Sequence, residues 1–256
     1  MKIENHDDTR EFWDLTASDW HIQVGLDGDV NRRLNSDPVL WKFAGDINGL
    51  TVLDAGCGTG YLSLKLADKG ANVTGVDFSP KMIQIALENS KSSGHDISFL
   101  VDSCSNLKSI KDNQFDLIVC NYVLMDLPDL KGAISSFYRV LKEKAAAVLI
   151  FSHPAFPQGK STKIGNRNRI SYQWDFSYFE NKRCTDPPWA HFKNDFIWFH
   201  RPLSDYWKIF KSAGFEITDF DEPRLTLTNK GTMIDPEKLN NCQTRPYSVA
   251  FKLNKQ

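Results

Sequence analysis

The sequence predicts an α/β protein built on a mostly parallel sheet, and three observations carry that reading. Between Thr51 and Phe151, short apolar runs alternate with stretches of helical periodicity. The first run is followed at once by Gly56, Gly58 and Gly60, a spacing suited to a tight strand-to-helix turn. Acids stand at or near the ends of the first two runs, Asp54 and Asp77. Strands separated by helices imply right-handed crossovers, and such sheets bind ligands at the carboxyl ends of their strands.

The elements follow in order. "TVLDA" is a buried strand, and Tyr61 to Lys69 a helix stopped by Gly70. "ANVTGVD" is the second strand, after which Ser79-Pro80 supplies a cap and a first helical residue. "ISFLVD" and "FDLIVCNYV" are the third and fourth strands. Leu130, Ala133, Ile134, Phe137, Tyr138 and Leu141 mark one face of a helix before a fifth strand, "AAAVLIF". An aromatic-rich arm with Phe12, Trp13 and Trp20 precedes this core, as does a short helix starting at Asp37-Pro38. Beyond it the alternation stops for about fifty residues. It resumes with a helix carrying Leu203, Tyr206, Trp207 and Phe210, a strand "FEITDF", and a closing strand "YSVAFKL" beside it. The expected organisation is an arm and lid helix (1–50), a ligand-binding core (51–152), an aromatic cap (153–201) and the remainder of the core sheet (202–256).

Composition narrows the class. Hydrophobic residues make up 41% and charged residues 25%, with a formal net charge of -1, so bulk charge favours neither nucleic acid nor a membrane surface. No apolar run is long enough to span a bilayer. Five scattered cysteines, never spaced C-x-x-C, argue against a disulfide framework or a zinc site and suit a reducing, cytoplasmic setting. No metal is expected.

A dinucleotide fingerprint requires G-x-G-x-x-G. Gly56 and Gly58 satisfy it, but Tyr61 takes the third place, and Asp54 would repel a pyrophosphate. S-adenosylmethionine reverses that objection, because it has no phosphate and carries a sulfonium and an ammonium. Asp77 ends the second strand, where a carboxylate can accept both ribose hydroxyls.

In order, "LDAGCGTG", "GVDFSP", "VDS" and "FDLIVCNYVLMDL" resemble the class I S-adenosylmethionine-dependent methyltransferases, in particular the broad small-molecule group often called type 11. The resemblance implies a Rossmann-like sheet with helices on both faces, an antiparallel final strand, and S-adenosyl-L-methionine as cofactor. It also implies that Asp54, Gly56, Cys57 and Gly58 surround the methionine part and that Asp77 holds the ribose. Phe78 would lie against the adenine, Asp102 and Ser103 at its amine, and Asn121 beneath the methionine. Arg33 fits the methionine carboxylate, or else an exposed position flanking a helix. The lesser alternative for Asp102 is a cap of the following segment, and Trp13 and Trp20 fit a lid or plain packing. The family's usual proline-glycine turn before the fifth strand is replaced by "LKEKAAAV".

For the acceptor, "DPPW" (Asp186 to Trp189) has the form used by base-amine methyltransferases on flipped bases, but there it directly follows the fourth strand. Here a Pro-Pro turn is the better reading. Residues 153–201 interleave many aromatics with eight basic and four acidic residues, which suits a cap over a small aromatic or anionic acceptor. His153, just after the fifth strand, is the first candidate base and His200 the second. The expected function is methyl transfer to oxygen or nitrogen of a small molecule. Two rivals stand beside it: an RNA or DNA base methyltransferase, and a non-catalytic protein that binds the cofactor.

Overall fold

A computed structural model describes residues 6–156, 160–164, 167–171, 174–225 and 245–256. Helix α1 (His6–Val24) is followed by a short π-helical turn (Arg32–Ser36) that runs into α2 (Asp37–Ala44). The alternating core comprises β1 (Thr51–Ala55), α3 (Tyr61–Asp68), β2 (Asn72–Asp77), α4 (Pro80–Ser93) and β3 (Ser98–Val101). It continues with β4 (Phe115–Asn121), α5 (Leu130–Val140) and β5 (Leu141–Ser152). Two hairpins come next, β6 (Lys160–Ile164) with β7 (Arg167–Ser171), then β8 (Lys182–Asp186) with β9 (Phe196–His200). Helix α6 (Leu203–Ser212), β10 (Glu216–Asp221) and β11 (Ser248–Asn254) complete the fold.

The main sheet has seven strands in the order β10-β11-β5-β4-β1-β2-β3. Strands β1 to β5 are parallel, while β11 runs antiparallel to both its neighbours, β5 and β10. The strand order reverses between β1 and β4, which opens a crevice at their carboxyl ends. Helices cover both faces. On one, Phe137, Tyr206, Phe210, Phe215 and Phe251 are packed among the residues of α5 and α6. On the other, Leu40, Phe43, Ile47, Leu62 and Leu66 bind α2 and α3 to the sheet.

The junction without proline or glycine has a local solution. Helix α5 passes straight into β5, and the register against β4 slips between Phe115 and Leu117, so that β5 bulges. Lys144 absorbs the bulge at φ 63, a conformation usually left to glycine.

Two flanking regions without strand–helix alternation take regular form. The aromatic arm is a 19-residue helix. The region after β5 carries the two hairpins. Phe12 packs edge-on against Phe196 and Trp20 against Phe192, so α1 and the β8–β9 hairpin hold each other. Ser79 Oγ donates to Asp14 at 2.6 Å, tying α1 to the start of α4. Asp186 to Trp189 leaves β8 and turns back toward β9, far in sequence from the end of β4. The side chains of Arg167, Arg169 and Tyr172, three residues of the aromatic and basic stretch, lie outside the described residues, as does Cys242.

Phe251 on β11 stacks on Phe151 and meets Phe210 and Phe220 edge-on, so one ring joins β5, α6 and β10. Phe251→Ala is expected to lower stability by about 3–5 kcal/mol, read from urea denaturation. A loss below about 1 kcal/mol would show that β11 is not held by this cluster.

Candidate active site

The site grows from the carboxyl ends of β1, β2 and β4. The glycine loop hangs from the neighbouring strand, because the backbone N–H groups of Gly56 and Cys57 both donate to the Val76 carbonyl, at 2.8 and 2.9 Å. Gly56 has φ 77, and a Cβ there would fall inside the Val123 side chain. Only glycine allows the strand to turn at that point. Gly60 (φ 88) then starts α3 against Ala86 of α4.

Asp54 is buried at the end of β1 and accepts a hydrogen bond from Ser63 Oγ at 2.6 Å. Burial drives its carboxyl from the ordinary value of 3.8 up to about 7, against the opposing Ser63 bond. Asp77 ends β2 and accepts N–H bonds from Gly58 (2.9 Å) and Ser79 (3.0 Å) on separate oxygens. Burial still raises it to about 6. Burial also pushes the Cys57 thiol up, so it stays neutral in the loop.

These residues line a chamber of about 900 Å³ of empty space, part of it open to solvent. Phe78, Ser103 and Asn121 are on its wall. Asn121 Nδ2 donates to Ser36 Oγ at 3.2 Å, while its buried Oδ1 has no donor among the described residues. Asp102 is placed differently. Its carboxylate accepts from the Ser103 and Ser109 N–H groups, both at 2.7 Å, and from Ser109 Oγ. It closes the loop after β3, and of the pair it is Ser103 that reaches the chamber.

A second, larger space adjoins the first, with about 2850 Å³ empty and widely open. Trp189, Phe196, Trp198 and Phe199 of the β8–β9 hairpin form its apolar side. His153 and His200 both line it. Each has its ring engaged. His153 Nδ1 accepts from the Ala155 N–H at 3.1 Å, which leaves the proton on Nε2 to be donated to Glu222 at 2.9 Å. His200 Nε2 donates to the Tyr178 carbonyl at 2.9 Å, and Nδ1 is buried without a partner among the described residues. Burial lowers the pKa of both rings, so both are neutral near pH 7. Neither histidine lines the chamber of Asp54.

Arg33 is exposed and lines only the larger space. Its neighbour Arg32 is the buried one, at 8% exposure, and it lines both. It pairs with Asp29 at 2.9 Å and lies over the Trp20 ring at 5.1 Å. Helical phase points to Arg32 rather than Arg33, since the buried face Phe43, Leu40, Ser36 continues back to Arg32. Tyr122 was also not singled out by sequence. It follows β4 at φ 58, and its hydroxyl is held by Ser248 Oγ (2.9 Å) and Asn35 Nδ2 (3.0 Å).

Residues 47–171 match the protein family described as "Methyltransferase domain". Those residues form a methyltransferase domain, on the fold of S-adenosylmethionine-dependent methyltransferases. The ubiquinone biosynthesis O-methyltransferase of Xanthomonas oryzae is 34% identical over 97 residues, 38% of this chain and 41% of that protein. That of Nitrosomonas europaea is 33% identical over 101 residues, 40% of this chain and 43% of that protein. The chain thus spans about two fifths of the length of the curated relatives it matches. A methyltransferase structure from Mesorhizobium loti is 20% identical with a TM-score of 0.70, covering 90% of this chain and 100% of that one. The magnesium protoporphyrin IX methyltransferase of Synechocystis PCC 6803, solved with bound S-adenosylmethionine, is also 20% identical, with a TM-score of 0.59 and 99% of each chain covered.

The domain's residues fit that cofactor. Each Asp77 oxygen takes one N–H and keeps a lone pair for a ribose hydroxyl. Asp54 offers a buried carboxyl that a cation would ionise and Asn121 an oxygen without a donor among the described residues, both suited to a cationic methionine end. Among the described residues there is no helix long and apolar enough to cross a membrane and no cluster suited to a metal.

The raised acids set a pH dependence. The folded chain holds protons on Asp54 and Asp77 that the unfolded chain has released above about pH 4. Their contribution is full below that pH and is lost as pH rises through about 6 and 7. Asp54→Asn removes one such group. Its stability relative to the parent is expected to improve by about 1 kcal/mol or more between pH 4 and pH 8, measured by urea denaturation. A difference that does not change with pH would show that Asp54 is not protonated in the free fold.

Proposed function

We propose that the protein transfers the methyl group of S-adenosylmethionine to an oxygen or nitrogen atom of a small molecule. The observation that carries this reading is the pair of adjoining chambers. One is built of the glycine loop and strand-end acids, the other of aromatic rings, and they share Trp13, Trp20, Arg32, Tyr122 and Asp126.

In this reading Asp77 binds the ribose, while Phe78 and Ser103 contact the adenine. Asp54, Gly56, Cys57, Gly58 and Asn121 surround the methionine, and Asp102 shapes the loop that carries Ser103. Arg32, and not the exposed Arg33, is the arginine placed to meet the methionine carboxylate. The bound cofactor supplies a methyl carbon already activated by its sulfonium. What remains for the chain is to align the acceptor, exclude water and receive a proton. Trp13 and Trp20 cover the loop, with Trp20 close enough to Gly58 to touch a Cβ built there, at 3.7 Å. His153 and His200 serve as braces of the acceptor wall. The relatives named for O-methylation make oxygen the first acceptor atom to test.

Calorimetry with S-adenosylhomocysteine is expected to show one site, weakened about 10- to 100-fold by Asp77→Ala. Labelled S-adenosylmethionine incubated with the small-molecule fraction of a cell extract is expected to label a product. Absence of binding up to millimolar ligand would remove the reading, and binding without label in any extract would favour a cofactor-binding protein instead. Single-stranded RNA or DNA is expected not to bind, and a complex that weakens steeply between low and moderate salt would move the acceptor to nucleic acid.

A further inference from the structure

The two chambers meet at a neck formed by the five residues they share, and any methyl passing from one to the other crosses it. Trp13 and Trp20 form its apolar wall. Among the other three, chemistry can be assigned by elimination. The Arg32 guanidinium is committed to Asp29 and cannot accept a proton. The Tyr122 hydroxyl is committed to Asn35 and Ser248, and burial raises it to about 12. Asp126 remains. Its carboxyl has no hydrogen bond and no ion pair among the described residues.

Its position is fixed from several sides. Asp126 ends a short 3-10 turn (Leu124–Asp126) after β4, and its backbone N–H donates to the Val123 carbonyl at 2.8 Å. Arg201, beyond β9, clamps the turn by donating to the Leu127 and Pro128 carbonyls at 2.6 and 3.1 Å. The ionisable groups around the carboxyl are Cys120 on β4, Tyr206 on α6, Arg201, and the neck residues Arg32 and Tyr122. Burial holds the Cys120 thiol and the Tyr206 hydroxyl neutral, and the Arg201 N–H groups are occupied by carbonyls. Neither arginine pairs with the Asp126 carboxyl among the described residues.

The geometry points to Asp126 as the catalytic residue that receives the acceptor's proton. The inference rests on the function proposed above. The carboxyl is half-buried without a partner among the described residues, and burial pushes it well above the ordinary value in the free protein. A positive sulfonium in the adjoining chamber favours the ionised form, so the base is armed when the cofactor is present. The acceptor's lone pair then forms its bond to the methyl carbon while the carbon–sulfur bond breaks and its electrons stay on sulfur, leaving neutral S-adenosylhomocysteine. The acceptor's proton passes to the Asp126 carboxylate and from there to solvent.

Asp126→Asn keeps the shape but cannot take a proton. It is expected to bind S-adenosylhomocysteine within about threefold of the parent, which also shows that it folds. Calorimetry in buffers of different ionisation enthalpy is expected to show the parent releasing more protons on binding S-adenosylmethionine than on binding S-adenosylhomocysteine. That excess should be smaller in the variant, Asp54 supplying what remains. Label transfer into the small-molecule fraction is expected to fall by about 100-fold or more at neutral pH, and by less at high pH, where the acceptor deprotonates itself. Asp126→Glu is expected to restore part of the rate. The role is overturned if Asp126→Asn transfers as fast as the parent at neutral pH, or if it releases the same excess of protons. A parent that binds neither cofactor form and labels nothing would remove the proposed function itself, and this role with it.

Discussion

The constraint on which the rest of this structure depends is the gathering of carboxyl groups at one sheet edge with no cation paired to them among the described residues. Asp54 and Asp77 arrive there because parallel strands deliver their carboxyl ends to the same side. Asp126 arrives by the turn after β4. Taking an ionised carboxylate out of water is costly unless donors replace the lost solvent. Ser63, Gly58 and Ser79 supply some donors, yet the acids remain pushed toward their neutral forms. The free fold therefore holds an incomplete electrostatic arrangement that a cationic ligand completes. The same acids that destabilise the empty crevice select what fills it.

The second support is the backbone around Tyr122. A tyrosine at positive φ is costly, and such conformations persist only where the surroundings over-determine them. Here the hydroxyl is gripped by Asn35 from the π-helical turn and Ser248 from β11, which are also bonded to each other. The strain keeps Asn121 and Val123 facing the glycine loop, where Val123 occupies the space a Gly56 side chain would need. Segments distant in sequence thus converge to fix one peptide. Bistable or strained elements of this kind are common where ligands bind.

Much of the architecture was legible in the sequence because its signals are local. The period-two and period-3.6 patterns between Thr51 and Phe151 gave strands and helices close to those observed. The glycine spacing announced the turn, since Gly56 has no room for a side chain. What could not be read depends on tertiary placement. Asp126 sits in a turn of three residues whose significance lies in the chamber it borders, and no periodicity marks that. Arg32 is preferred over Arg33 only when the buried face of α2 is carried back through a π-helical turn that the sequence does not announce. The cap resisted reading because short hairpins rich in aromatics and charge show neither clean alternation nor helical stripes. His153 was attractive by position alone, and only the coordinates show Ala155 and Glu222 taking its two nitrogens.

Helix α1 has a consequence for how ligands arrive. Trp13 and Trp20 meet edge-on at 5.2 Å and form one partition with a face in each chamber. A ligand settled beneath them fixes the partition and so finishes the wall against which its companion docks. By reciprocity of binding free energies, whatever the first ligand contributes to the second is returned in equal measure. The partition thus couples the two chambers without favouring either order of arrival.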